Sequence, residues 1–356
     1  MNQDSDSALA ACESVEEFAR AASALGIALT AEQLAAAARP DPLGIALYGD
    51  APANAADWPG PRWRPAHVSL GGAIAVDWVH FGQRAPCGFL NQAALRAIAG
   101  RPFNRLFRRR MTLQDFIGGA RAAAAPKGFI FHMSRTGSTL TARMLSALPF
   151  TLTISELQPV NDALFVAHSA AGLAPGQRIA LLRAILAAHA CEEQALIVHF
   201  DAWHAIMLPL IRAAFPGVPF VFLYRDPTEV LVSYARLGGG AFPARAMPQF
   251  WEASHDPLEG VARALGAICA SAAANLGDGG IAIDYRELPD AAVTKILPHF
   301  GIDADAATHA QMLRVAGHDA KSGRSFTSDA VAKQREASEG LRRLAAEHIR
   351  VPGGTP

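Results

Sequence analysis

From Gly128 to Tyr285 the sequence alternates short, unbroken apolar runs with longer stretches whose apolar residues recur at helical spacing, and this alternation restricts the fold more than any other feature. The runs predict strands at 128–133, 151–155, 195–200, 218–224 and 281–285. The stretches between them predict helices near 138–147, 158–168, 176–190, 204–214 and 227–236, then long helices across 247–276. Runs that are apolar throughout suit strands buried on both faces, and strands separated by helices imply an α/β fold, a mostly parallel sheet flanked by helices. A chain of 356 residues has ample length for such a core and for a smaller mixed N-terminal region. The expected organisation is 1–40, 41–125 and 126–350.

Within that alternation, Pro126 to Pro149 reads as strand, tight polar turn, then helix. Ser134-Arg135-Thr136-Gly137-Ser138-Thr139 supplies a cation, hydroxyls and a glycine, and Leu140, Met144, Leu145 and Leu148 come after it at helical spacing, so the helix starts near Gly137 or Ser138. Backbone N–H groups at that end have no intrahelical acceptor and the macrodipole is positive there, which suits an anion. The turn is not a Walker loop. That pattern needs Gly at 132 and Lys at 138, where this chain has His132 and Ser138.

The string S-R-T-G-S-T-L after a strand resembles the 5′-phosphosulfate loop of sulfotransferases, in which a Lys or Arg two residues before the glycine faces the sulfuryl group. A second strand, Val218–Tyr224, leads into Arg225-Asp226-Pro227 and places Ser233 eight residues after Arg225. That spacing is similar to the R-[DN]-P-x-x-x-x-x-S element with which the family binds the 3′-phosphate of 3′-phosphoadenosine 5′-phosphosulfate. Physically, Arg offers a fork to two phosphate oxygens, and a Ser two helical turns along closes on the same group. Ile283-Asp284-Tyr285-Arg286-Glu287-Leu288 resembles the segment that closes the family's core, so the resemblance spans about 126–327. It implies a P-loop-type, sulfotransferase-like sheet and that donor as co-substrate, with no metal. Thr136, Gly137, Ser138 and Thr139 would hold the 5′-phosphosulfate, Arg135 would neutralise it, and Arg225 and Ser233 would hold the 3′-phosphate.

Glu156 lies 19 residues after Gly137, a place similar to that of the general-base glutamate in the tyrosylprotein sulfotransferase branch. The resemblance gives it the task of accepting the acceptor's proton; the alternative is that Ser155 and Glu156 cap the following helix. His199-Phe200-Asp201-Ala202-Trp203-His204 is open to three readings. These are an acceptor site in which His199 or His204 is the fallback base, helix capping with core packing, and a metal site of the H-x-D type. The glycine-containing basic loop His318–Phe326 is similar to loops that fold over the donor, which would add Lys321 and Arg324 to the binding residues; a solvated charged loop is the alternative.

Residues 11–40 predict two helices, the first on the face of Val15, Phe18, Ala22 and Leu25, the second opened by Thr30 and Gln33 as a capping pair. The stretch from Glu17 to Leu34 resembles the leader-peptide-like domain of nitrogen-fixation-associated and nitrile-hydratase-type precursors. Pro42, Pro52, Trp58, Pro59, Pro61, Trp63 and Pro65 predict an irregular segment, followed by a strand at 74–81 and a helix at 90–98. Five arginines among residues 101–110 form a basic, aromatic cluster, whose expected use is docking within the protein or an anionic ligand rather than nucleic acid.

Lys plus Arg equal Asp plus Glu at 32 each, so no net field advertises nucleic acid or membrane as a partner. Cys12, Cys87, Cys191 and Cys269 are scattered without C-x-x-C spacing, which points to free thiols. No apolar run reaches the roughly 20 residues of a membrane span, and the N-terminus lacks a basic signal-type region, so a cytoplasmic protein is expected. The acceptor class stays open among peptide, small alcohol, lipid and sugar. Two other functions remain: a P-loop kinase-like phosphotransferase, and a non-catalytic protein that binds phosphoadenosine nucleotides or peptides.

Overall fold

All five apolar runs are strands: Gly128–His132, Thr151–Ser155, Ala195–His199, Phe220–Tyr224 and Gly280–Asp284. The computed structural model describes residues 3–38, 53–54, 57–69, 73–82, 88–121, 123–191, 193–238, 247–252, 254, 256–277, 279–317 and 329–353. The chain divides into two compact units, 1–124 with 156–194, and 125–155 with 195–356.

In the second unit the five strands run parallel, in the order 280–284, 220–224, 128–132, 195–199, 151–155. Residues 128–132 and 151–155 are buried without exception, as strands covered on both faces require. Phe131 stacks on Phe200 with ring centroids 4.7 Å apart, while Phe129 and Phe220 meet these rings edge-on, so aromatic packing fills the middle of the core. From the central 128–132 strand the chain moves to one side of the sheet, and from the neighbouring 220–224 strand it moves to the other. The carboxyl ends of these two strands therefore bound a topological switch point, where the diverging connections leave a crevice.

The helices begin where local chemistry dictates. After the 220–224 strand, Asp226 accepts the Glu229 N–H at 3.1 Å as N-cap and Pro227 takes the first turn of the helix Pro227–Ala235. The expected helix over 204–214 is a 3₁₀ turn, Ala202–Met207, continued by the helix Leu208–Ala214. Asp201 caps the tighter turn by accepting the Ala202 N–H at 2.8 Å.

The first unit opens with a helix that the sequence analysis did not anticipate, Gln3–Ala11, whose Leu9 and Ala10 are fully buried. Helices Val15–Ala24 and Ala31–Ala38 come next, and the Thr30/Gln33 capping pair is formed in both directions, at 2.9 and 3.1 Å. Trp63–Ser69, expected to be irregular, is a strand antiparallel to Ala75–His80, which in turn pairs with Arg109–Thr112. The proline in it is tolerated because the register shifts between Pro65 and His67, so the missing N–H falls at a bulge. The arginine cluster is used within this unit. Arg110 pairs with Asp77 at 2.6 Å, Arg109 lies 4.7 Å over the Trp63 ring, Arg105 donates to the Gly100 carbonyl at 2.7 Å, and Arg101 donates to the Ala10 carbonyl at 3.3 Å. Among the described residues no helix is long and apolar enough to cross a membrane.

Candidate functional site

The turn after the 128–132 strand is built from left-handed backbone. Ser134 (φ 77°), Arg135 (φ 57°) and Gly137 (φ 77°) all have positive φ, and Gly137 is the N-cap of the helix Ser138–Leu145. Left-handed residues are disfavoured outside glycine, so two in succession need a reason to persist. Part of it is His132. Its Nε2 faces the Phe200 carbonyl at 3.0 Å, which makes that nitrogen the donor and leaves Nδ1 to accept the Ser134 N–H at 2.9 Å. The helix has no side-chain cap bond, so its first N–H groups keep the direction in which an anion would be held. Thr136 is fully buried, and its Oγ1 has no hydrogen-bond partner among the described residues. A Cβ at Gly137 would come within 3.0 Å of Leu288 and 3.3 Å of Tyr285. Arg135 is part-exposed and has no ion-pair partner among the described residues.

Arg225, at the end of the adjacent strand, is 4% exposed. Its Nε donates to Glu229 at 2.6 Å, its Nη2 donates to Asp329 at 2.6 Å, and its guanidinium lies 4.2 Å over the Tyr285 ring. Burial works against the Arg225 charge, but the bonds to Asp329 and Glu229 outweigh it and raise the pKa. Ser233 is buried on the same helix, and its hydroxyl donates to the Glu229 carbonyl at 2.9 Å. Tyr234 ties the two motifs together, its hydroxyl donating to Ser134 Oγ at 2.7 Å across 100 residues of chain.

Of the candidate proton acceptors, His199 is buried at the end of its strand, beside Ser155 in register, and its Nδ1 shares a 2.8 Å hydrogen bond with Ser155 Oγ. The His132 and His199 rings stand 5.0 Å apart. His204 is fully buried, accepts the Asp201 N–H at 3.2 Å on Nδ1, and packs edge-on against Trp203 and Phe200, a capping and packing environment. Glu156 directly succeeds Ser155, is part-exposed, and has φ 48°. The helix Gln158–Ser169 has Leu157 at its N-cap, so neither Ser155 nor Glu156 is the N-cap residue, and the Gln158 N–H donates to Gln92 Oε1 at 2.7 Å. Lys321 and Arg324 lie outside the described residues.

The structure thus brings Arg135, Thr136, Gly137, Ser138, Thr139, Arg225 and Ser233 to one switch point. Sequence reasoning missed Glu229, Tyr234, Asp329 and Lys333 as neighbours of that site. Only Glu229 carried a usable signal, an acid four residues after Arg225 on a predicted helix.

No family model matches the sequence and no curated protein matches it. Among solved structures the chain is similar to the sulfotransferase domain from the curacin biosynthetic pathway, with 14% identity, a TM-score of 0.42, and 65% of this chain and 100% of that chain covered. It is also similar to the sulfotransferase domain from the Synechococcus PCC 7002 olefin synthase, with 17% identity, a TM-score of 0.37, and coverages of 67% and 93%. A sulfotransferase from Mycobacterium tuberculosis H37Rv is similar at 16% identity, with a TM-score of 0.39 and coverages of 69% and 82%.

Proposed function

We propose that this protein is a sulfotransferase, moving a sulfuryl group from 3′-phosphoadenosine 5′-phosphosulfate to a hydroxyl or amine of an acceptor. The observation that carries the reading is the junction of its two phosphate-type motifs. The left-handed turn 134–137 and the buried Arg225 stand at the ends of adjacent strands, linked by the Tyr234 to Ser134 hydrogen bond. The turn fits an anionic group, since it aims a helix N-terminus at it and buries the Thr136 hydroxyl, which has no hydrogen-bond partner among the described residues.

The donor, when bound, supplies an activated sulfur with a phosphate leaving group. The chain's own residues do the rest. Backbone N–H groups of 136–139 hold the 5′ end, and the Arg135 guanidinium neutralises the negative charge that accumulates there as the bridging bond breaks. Glu156 takes the acceptor proton, with His199 as the fallback base and His204 behind it. Arg225 and Ser233 serve the 3′-phosphate. The place of Glu156 and the leader-like stretch from Glu17 to Leu34 favour a peptide acceptor.

Titration calorimetry with adenosine 3′,5′-bisphosphate, set against ATP with magnesium, tests this reading. The expected result is binding of the bisphosphate in preference to ATP, together with sulfuryl transfer that persists in EDTA. A preference for ATP would replace it with a phosphotransferase, and bisphosphate binding without transfer across a panel of peptides, alcohols, lipids and sugars would leave a binding protein. Loss of transfer in EDTA, restored by a divalent cation, would overturn the metal-free mechanism.

A further inference from the structure

Asp329 stands where an anion would be bound. One of its carboxylate oxygens accepts from Arg225 Nη2 at 2.6 Å and the other accepts from Lys333 Nζ at 2.8 Å. The two cations are buried, with side chains only 5% and 6% exposed, whereas the Asp329 side chain is 43% exposed. Two buried cations converging on the two oxygens of one carboxylate form the same kind of fork that phosphate oxygens accept. The Tyr285 ring lies 4.2 Å from the guanidinium, whose Nε donates to Glu229 while its Nη2 donates to Asp329.

The two carboxylates on Arg225 differ in permanence. Glu229 is buried in the helix Pro227–Ala235, and its second oxygen accepts Gln334 Nε2 at 3.2 Å. Asp329 precedes the helix Ala330–Glu336 without giving it a side-chain cap bond, so turning the carboxylate outward leaves the first N–H groups of the helix as they are and gives up only the ion pairs to Lys333 and Arg225. Charge then favours a replacement anion. Arg225, Lys333, Glu229 and Asp329 sum to zero; without Asp329 they leave one net positive charge in a desolvated place, which attracts an anion strongly. Burial already pushes the Lys333 ammonium below its usual range despite the Asp329 partner, and the Arg225 charge adds to this, so the place that Asp329 leaves favours another anion.

We propose that Arg225 and Lys333 together form a phosphate monoester site, that Asp329 occupies it as a stand-in carboxylate, and that a bound phosphate displaces Asp329 and takes both cations. Lys333 is then a binding residue of the donor site that the R-D-P motif does not contain. The identity of the ligand as a nucleotide 3′-phosphate rests on the sulfotransferase reading; the anion site itself does not.

The test is calorimetry on the full-length protein with adenosine 3′,5′-bisphosphate, adenosine 5′-phosphate and inorganic phosphate. Removing the competing carboxylate in Asp329→Ala, or more gently in Asp329→Asn, should tighten bisphosphate binding about tenfold, and Lys333→Gln should weaken it about tenfold, the scale of one charge-assisted bond. Adenosine 5′-phosphate should change by less than about twofold in all three, which a merely structural role for these residues would not produce. Unchanged or weaker bisphosphate binding in both Asp329 variants, or no effect of Lys333→Gln, overturns the proposal. Should wild type reject the bisphosphate, inorganic phosphate decides. Tighter phosphate binding in Asp329→Ala, abolished by adding Lys333→Gln, keeps the anion site while the donor reading fails, and no phosphate binding in either overturns both.

Discussion

Glu156 stands one residue beyond a strand end in left-handed backbone, a conformation that costs a non-glycine residue about 1–2 kcal/mol and that concentrates at functional sites. The next helix has Leu157, not Glu156, as its N-cap residue. The proposed chemical task of Glu156 is separable from a structural one by substitution. Glu156→Gln keeps the shape and hydrogen-bonding reach of the side chain but removes the basic carboxylate, so single-turnover sulfuryl transfer should slow by roughly 10²- to 10⁴-fold. The melting temperature and the affinity for adenosine 3′,5′-bisphosphate should hold. Intact transfer with a lowered melting temperature would make Glu156 structural and pass the search for the base to His199, whose imidazole is already oriented by Ser155.

The turn between the 128–132 strand and the helix Ser138–Leu145 works as one element because its glycine meets two demands at once. At φ 77° an alanine would be strained, and its Cβ would press on Leu288 at 3.0 Å. Gly137→Ala should destabilise the protein by about 1–2 kcal/mol in urea unfolding and weaken bisphosphate binding by misdirecting the N–H groups of the turn. A stable variant with unchanged affinity would show that the turn is not what holds the nucleotide. At this scale the sequence was readable wherever the signal was local. Unbroken apolar runs marked the five parallel strands, and Asp226-Pro227 marked a helix start. The strand Trp63–Ser69 was hidden because its Trp63 and Pro65 continue a Pro- and Trp-rich stretch that reads as turn chemistry, and only pairing with Ala75–His80 reveals that Pro65 sits beside a bulge. The tight turn at 202–207 was equally hidden, since α- and 3₁₀-helix share the same start signal in Asp201.

Across the whole molecule, stability should depend on pH through histidines held neutral in the first unit. Burial pushes His189 down to about 4, and burial with the charges of Arg62 and Arg109 does the same to His80. In the unfolded chain both titrate near ~6.5. Between those values the unfolded chain binds more protons than the folded one, so the contribution is complete above about pH 6.5 and is lost progressively as the pH falls to about 4. Urea unfolding should therefore lose on the order of 2–4 kcal/mol between pH 7.5 and pH 5, and a flat profile would mean that these histidines accept protons without unfolding. What the amino-acid order determined by itself was the short-range content of this protein: the α/β alternation, the helix starts and the phosphate-type turn, all set by residues within a few positions of one another. The tertiary structure decided the rest. Strand order brought the ends of 128–132 and 220–224 side by side, and Tyr234 then bonds Ser134 from 100 residues away. Arg225 likewise found Asp329 across 104 residues. Alternating strands and helices are compatible with several strand orders, and an aspartate in a charged C-terminal stretch reads as solvated surface. Only the tertiary structure sets two buried cations, Arg225 and Lys333, against that carboxylate.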